Sequence, residues 1–129
     1  MPHRILIADD STSVRKGIRR LIEGHKDWEI CCEAKDGQEA IQKALELGPD
    51  VAVLDFLMPV TNGIVVAREI ATKCPGTSVI LCSMYLDSQL AELARGAGIA
   101  GILSKSNAGQ IVDCIETVLR GETYYASSI

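Results

Sequence analysis

No apolar run in this chain approaches the roughly 18 to 20 residues that a membrane-spanning helix needs, so no span is expected. The start, Met1-Pro2-His3-Arg4, leads into the short stretch Ile5-Leu6-Ile7-Ala8, which two aspartates close, and that is not a secretory signal. A basic surplus is missing too. There are 13 Lys and Arg against 17 Asp and Glu, a net charge of −4, so this segment is not expected to bind nucleic acid by itself. The five cysteines, Cys31, Cys32, Cys74, Cys82 and Cys114, include no CxxC pair and no zinc spacing. They read as reduced thiols serving as small core residues of a cytoplasmic protein, with Cys31 and Cys32 pointing to opposite faces of a strand.

What is present suffices for one buried core. The 129 residues are 47% hydrophobic and 23% charged, a balance that folds rather than stays disordered. The size is that of a single domain that needs no disulfide or metal staple. Short apolar, β-branched runs recur at 4–8, 28–34, 51–54, 78–82 and 101–103, bounded by Asp, Gly and Pro, and read as strands. Their near-continuous hydrophobicity suits a parallel sheet covered on both faces. Between them run helical stripes: Val14, Ile18, Leu21 and Ile22; Ile41, Ala44 and Leu45; Leu90, Leu93, Ala94 and Ala97; Ile111, Cys114, Ile115 and Val118. A less cleanly patterned helix is expected over about Gly63–Lys73, ended by Cys74-Pro75-Gly76. Asp36 with Glu39, and Asn107 with Gln110, have capping-box spacing. Five strand–helix units predict an α/β fold: a doubly wound parallel sheet with right-handed crossovers. Such sheets bind ligands beyond the carboxyl ends of their strands.

That rule selects a few residues. Asp9 and Asp10 follow the first predicted strand, Asp55 the third, Ser83 the fourth and Lys105 the fifth. Taken singly, each has an ordinary explanation: the aspartates as caps, Ser83 as a turn residue, Lys105 as a solvated charge. Their convergence on one sheet edge is what singles them out. Three crowded carboxylates need a cation or raised pKa values, and an all-oxygen donor set with room for water suits Mg²⁺.

These residues resemble the receiver domain of two-component response regulators. The resemblance rests on Ile5-Leu6-Ile7-Ala8-Asp9-Asp10, on Val53-Leu54-Asp55-Phe56-Leu57-Met58-Pro59 with Gly63, on Leu81-Cys82-Ser83, and on Leu103-Ser104-Lys105. It spans almost the whole chain, in order. Val14-Arg15-Lys16-Gly17-Ile18-Arg19, Ser83-Met84-Tyr85 and the stretch from Leu119 to Ala126 are further similar to the NarL subgroup, whose members usually continue into a LuxR-type helix-turn-helix. The resemblance implies a flavodoxin-like (βα)5 sheet of strand order 2-1-3-4-5. It implies that Asp55 accepts a phosphoryl group from a histidine kinase. Asp10, Asp55 and the backbone carbonyl of Leu57 would hold Mg²⁺, with Asp9 acting through water. Lys105, Ser83 and the Met84 amide would hold the phosphoryl group. The domain would be a signalling switch rather than an enzyme acting on a separate substrate, in the cytoplasm and not on a membrane. A homodimer through the C-terminal strand and helices is a further implied partner, and DNA only through a helix-turn-helix outside this chain.

Three departures from the family pattern carry expectations. Ile102 stands where the family commonly has a Tyr or Phe that swings inward, so switching is expected to run through the loop from Ser83 to Leu86. Ser106 follows Lys105, where Pro or an acid is more usual. Leu57 and Tyr85 occupy positions that tune dephosphorylation, and their bulk is expected to exclude water and slow phosphate loss. Arg15, Lys16, Arg19 and Arg20 on the first helix read mainly as a solvated face and, by the resemblance, as a kinase-docking surface.

Rival readings find less support. A phosphatase with an Asp nucleophile wants DxD spacing after the first strand, whereas Asp9 and Asp10 are adjacent. A nucleotide binder wants a glycine-rich loop where Asp9-Asp10-Ser11-Thr12-Ser13 stands. The two histidines, His3 and His25, lie at no predicted strand end, so a hydrolytic triad lacks support. A receiver fold without phosphorylation has only Ile102 in its favour. The receiver is expected to occupy 1–121. Residues 122–129 would begin a linker or tail, so the chain is either a stand-alone receiver or a receiver belonging to a longer regulator.

Overall fold

Strands that are apolar on both sides must be covered on both sides, and this dictates the architecture. A computed structural model of the chain describes residues 2–59, 61–84 and 86–125, with Ala108 described by its backbone alone. The elements are β1 (His3–Ala8), α1 (Thr12–Glu23), β2 (Trp28–Ala34), α2 (Gly37–Leu47), β3 (Val51–Asp55), α3 (Gly63–Lys73), β4 (Ser78–Ser83), α4 (Ser88–Gly96), β5 (Gly101–Ser104), a 3-10 segment (Lys105–Gln110), α5 (Ile111–Leu119) and β6 (Tyr124–Tyr125). All neighbouring strands pair in parallel, in the order β2-β1-β3-β4-β5-β6. This is the expected 2-1-3-4-5 flavodoxin-like sheet with one short strand added beside β5.

Alternation along the strands sorts the core into two layers. Leu6, Ala52, Leu54, Leu81 and Ile102 cluster with α2, α3 and α4. Ile5, Ile7, Val53, Ile80 and Leu103 cluster with α1 and α5. Ile5, Leu6 and Ile7 are completely buried, and each such side chain stabilises the fold by about 1.5–3 kcal/mol. Four helices start on side-chain caps. Ser11, Asp36, Asn62 and Asp87 accept the N–H of Val14, Glu39, Val65 and Leu90 respectively, each worth about 1 kcal/mol. The carboxylate of Glu39 in turn accepts the Lys35 N–H at 3.1 Å.

Three expectations change. Asn107 does not cap a helix: Ser106 turns back through its N–H and hydroxyl onto the Ser104 hydroxyl (3.2 and 2.7 Å), the 3-10 segment intervenes, and α5 begins only at Ile111 with no side-chain cap. Leu93 and Leu45, read as core stripe residues, are about half exposed at 51% and 52%. Cys31 and Cys32 do not face opposite ways. The β1–β2 register passes from Ile5 opposite Ile30 to Leu6 opposite Cys32, so Cys31 is the extra residue of a β-bulge. Both thiols therefore pack on the α2 side of the sheet, with their sulfurs 3.4 Å apart.

Candidate functional site

Parallel strands end at a common edge, and the chemistry gathers there. Asp9 and Asp10 follow β1, Asp55 ends β3, Ser83 ends β4 and Lys105 follows β5. Asp9 and Asp55 are buried, at 2% and 5% exposure, while Asp10 faces solvent. One carboxylate oxygen from each of the three aspartates lies within 4.8 Å of the others. The Lys105 ammonium bridges the two buried ones, with Nζ 2.9 Å from Asp9 Oδ2 and 3.0 Å from Asp55 Oδ1.

Backbone groups fix the carboxylates. The Ser11 N–H donates to Asp9 Oδ1 at 2.9 Å, and the Asp9 N–H donates to the Ala34 carbonyl at 3.0 Å. The Leu57 N–H donates to Asp55 Oδ1 at 3.3 Å. The loop after Asp55 is closed by Gly63, whose N–H donates to the Phe56 carbonyl at 2.7 Å. A Cβ on residue 63 would lie 2.5 Å from Leu81 Cδ1 and 2.8 Å from the Asp55 carbonyl oxygen, so only glycine lets the start of α3 sit this close.

Charge balance is incomplete. Three carboxylates and one ammonium leave −3 + 1 = −2 in the cluster. Burial raises the Asp55 carboxyl above the usual carboxylate range and the Asp9 charge adds to this, against the Lys105 ammonium, which pulls it down. For Lys105, burial pulls the pKa down, but its bonds to Asp9 and Asp55 outweigh that and hold it above the usual lysine value. A small hard cation would supply the missing charge. The donor set, carboxylate oxygens with one of them at the solvent face, fits Mg²⁺.

The remaining expected residues lie around this cluster. Ser83 is buried and, with Phe56, Leu57, Met84 and Leu93, lines a shallow cavity of about 280 Å³. Leu57, held opposite Asn62 by an isolated antiparallel bridge, is 65% exposed, and Met84 is 59% exposed. Ile102 is fully buried in β5, between Leu81 of β4 and Tyr125 of β6. Tyr85 and Ala126 lie outside the described residues. A second cavity, about 380 Å³, opens between α1 and α5; Val14, Ile18, Leu21, Met84 and Ile111 line it, and it reaches Lys105.

Arg15 is more than part of a solvated face. Its guanidinium donates to Glu33 at 2.9 Å and to the Asp9 carbonyl at 2.5 Å, tying α1 to the end of β1. Arg19 reaches the same Glu33 at 2.6 Å. Glu33 faces α1 because the Cys31 bulge shifts the alternation of β2 by one residue, and no spacing in the sequence announces that.

This fold and this acidic edge define a class. The response regulator receiver domain family matches residues 5–116, and the chain belongs to it. Within the class, its relatives are regulators of the NarL/LuxR type. The chain is 36% identical over 123 residues to the oxygen regulatory protein NreC of Staphylococcus epidermidis, covering 94% of this chain and 56% of that protein. It is 35% identical over 119 residues to the transcriptional regulatory protein LnrK of Bacillus subtilis, covering 92% and 54%. The chain thus spans about half the length of the curated relatives it matches. Among solved structures, a LuxR-family two-component response regulator from Aurantimonas superposes with a TM-score of 0.94 at 32% identity, over 100% of this chain and 93% of that one. The receiver domain of a NarL-type regulator from Mycobacterium tuberculosis superposes with a TM-score of 0.88 at 30% identity, over 94% and 98%. Among the described residues, no helix is long and apolar enough to cross a membrane.

Proposed function

We propose that this receiver takes a phosphoryl group on Asp55 from a histidine kinase, in a reaction that depends on Mg²⁺, and passes the change to a transcriptional output. The observation that carries the reading is Lys105 Nζ bridging Asp9 and Asp55 inside a cluster of three carboxylates. Asp55 Oδ1 accepts from Lys105 and Leu57, which leaves Oδ2 as the attacking oxygen. As the new P–O bond forms, the P–N bond to the kinase histidine breaks, and the electron pair leaves with the imidazole. Lys105 stays protonated and follows the charge onto a phosphoryl oxygen. Asp10, Asp55 and the Leu57 carbonyl would hold Mg²⁺, with Asp9 acting through water; the ion supplies charge neutralisation on the phosphoryl oxygens. Ser83 and the Met84 amide are assigned to the transferred group, which adds about −1.5 to −2 charge at this edge. Ile102 has no ring to swing, so the response runs through the loop from Ser83 to Leu86 and into α4. Leu57 shields the acyl phosphate from water and prolongs its lifetime, and Tyr85 is assigned the same role.

The kinase is assigned to α1, where Arg15 and Arg19 are engaged with Glu33 and exposed Lys16 and Arg20 remain for docking beside the apolar cavity. We place the receiver at 1–121 and the start of a linker at 122–129. DNA contact is assigned to a further domain in the full regulator, pairing of two copies to the C-terminal strand and helices, and the site of action to the cytoplasm. The test is incubation with Mg²⁺ and acetyl phosphate followed by intact mass. One phosphate on the native protein and none on Asp55→Asn is expected; absence of the adduct from the native protein overturns the proposal.

A further inference from the structure

The sheet also carries a soft pair of donors. The bulge at Cys31 turns both thiols of β2 to one face, half-buried, with Sγ atoms 3.4 Å apart. Three ways of bridging such a pair differ in geometry. A direct S–S bond would join residues whose Cα atoms are only about 3.8 Å apart, short of the roughly 4.4 Å at which disulfides begin, so it would be strained and easily reduced. Tetrahedral zinc, with Zn–S near 2.3 Å, wants its sulfurs about 3.8 Å apart and two more protein ligands. Among the described residues, the one group of three or more His, Cys, Asp or Glu donors is Asp9, Asp10 and Asp55. Lys43 and Arg4 also put positive charge near Cys32, which disfavours a divalent ion.

A bridging atom with bonds of that same length, about 2.3 Å, would see sulfurs 3.4 Å apart at an angle of about 95°. That near-right angle belongs to a pyramidal centre with a lone pair and a third substituent of its own, as in trivalent arsenic. Protonation agrees. Burial, then the hydrogen bond to Cys31, pushes the Cys32 thiol up to about 12, so it is neutral at physiological pH. A reaction that condenses neutral thiols into a neutral product is favoured by such surroundings.

We propose that Cys31 and Cys32 form a dithiol site for trivalent arsenicals. With arsenous acid, two As–O bonds break and two As–S bonds form. The two thiol protons leave with the two hydroxyls as water, and no atom is oxidised or reduced. An organic arsenoxide loses its single oxygen as one water and keeps its carbon substituent.

The experiment adds one equivalent of phenylarsine oxide to the folded protein and reads intact mass. One phenylarsenic adduct is expected, held against excess glutathione and released by 2,3-dimercaptopropanol. Cys31→Ala and Cys32→Ala, each checked for native circular dichroism, should each lose the glutathione-resistant adduct, and Cys74→Ala should keep it. On the native sequence alone, peptide mapping should place the phenylarsenic group on the peptide that carries both Cys31 and Cys32. A resistant adduct in either single Cys31 or Cys32 variant, no adduct on the native protein, or an adduct on a peptide with other cysteines instead overturns the proposal.

Discussion

Asp9, Asp10, Asp55 and Lys105 lie at the carboxyl edge of the sheet, whereas Cys31 and Cys32 lie on its flank, and the two groups arise in opposite ways. The acidic cluster is assembled from three places in the chain by regular parallel pairing. The thiol pair comes from adjacent residues and exists because pairing is irregular at one position. Regular pairing brings distant residues together at strand ends; a bulge brings neighbours together within one strand. The first arrangement gathers hard oxygen donors around an ammonium, the second soft sulfur donors in apolar surroundings.

Perturbing each region should give effects of different size. The largest is expected for Lys105→Met, which removes the bridge between Asp9 and Asp55: labelling of Asp55 by acetyl phosphate should slow about 100- to 1,000-fold, the usual cost of losing one charge-stabilising donor, as followed by intact mass over time. Asp10→Asn comes next. It should weaken Mg²⁺ binding by at least about 10-fold, measured by titration calorimetry, with the fold unchanged by circular dichroism.

Asp55→Asn probes electrostatic strain rather than reaction. The folded carboxyl has a raised pKa, so its stabilising contribution is present below the unfolded value near 3.9 and is lost as pH rises through the folded value. At pH 7 in metal-free buffer the substitution should therefore raise stability and Tm, and the gain should shrink towards pH 4. Thermal melts at the two pH values check it; an equal gain at both would remove electrostatics as the cause. The smallest effect is expected from Cys31→Ser with Cys32→Ser. Sites about 10 Å apart along β1 that share no partner behave additively, so the labelling rate of Asp55 should change less than about twofold. A larger change would show that the bulge and the carboxylates are coupled through Glu33 and Arg15.

The same contrast explains what could be read from the residues alone. The parallel sheet and the convergence of Asp9, Asp10, Asp55 and Lys105 were legible because both follow from strand periodicity and the strand-end rule, whereas the strand order came with the resemblance to receiver domains. The bulge was not, since any reading of β2 assumes alternation, and a single unpaired residue reverses every side chain beyond it. Arg15 and Arg19, read mainly as a solvated face, were therefore misjudged with it, because the Glu33 that engages both was not expected to face α1. The cap expected at Asn107 gave way to hydrogen bonds between Ser104 and Ser106, which depend on the conformation after β5. β6 has two residues and no periodicity to detect.

That small strand has a consequence for solubility. An uncovered β5 would present a ladder of unpaired amides to any extended chain nearby. Tyr124 and Tyr125 pair with Gly101 and Ile102 instead, and Tyr125 is pinned by its hydroxyl to the Ile99 carbonyl at 2.9 Å and by the Arg95 guanidinium 4.3 Å above its ring. At the far flank the bulge at Cys31 and the charged Glu29 and Glu33 break the other template. Both rims of the sheet are thus blunted against strand-to-strand aggregation.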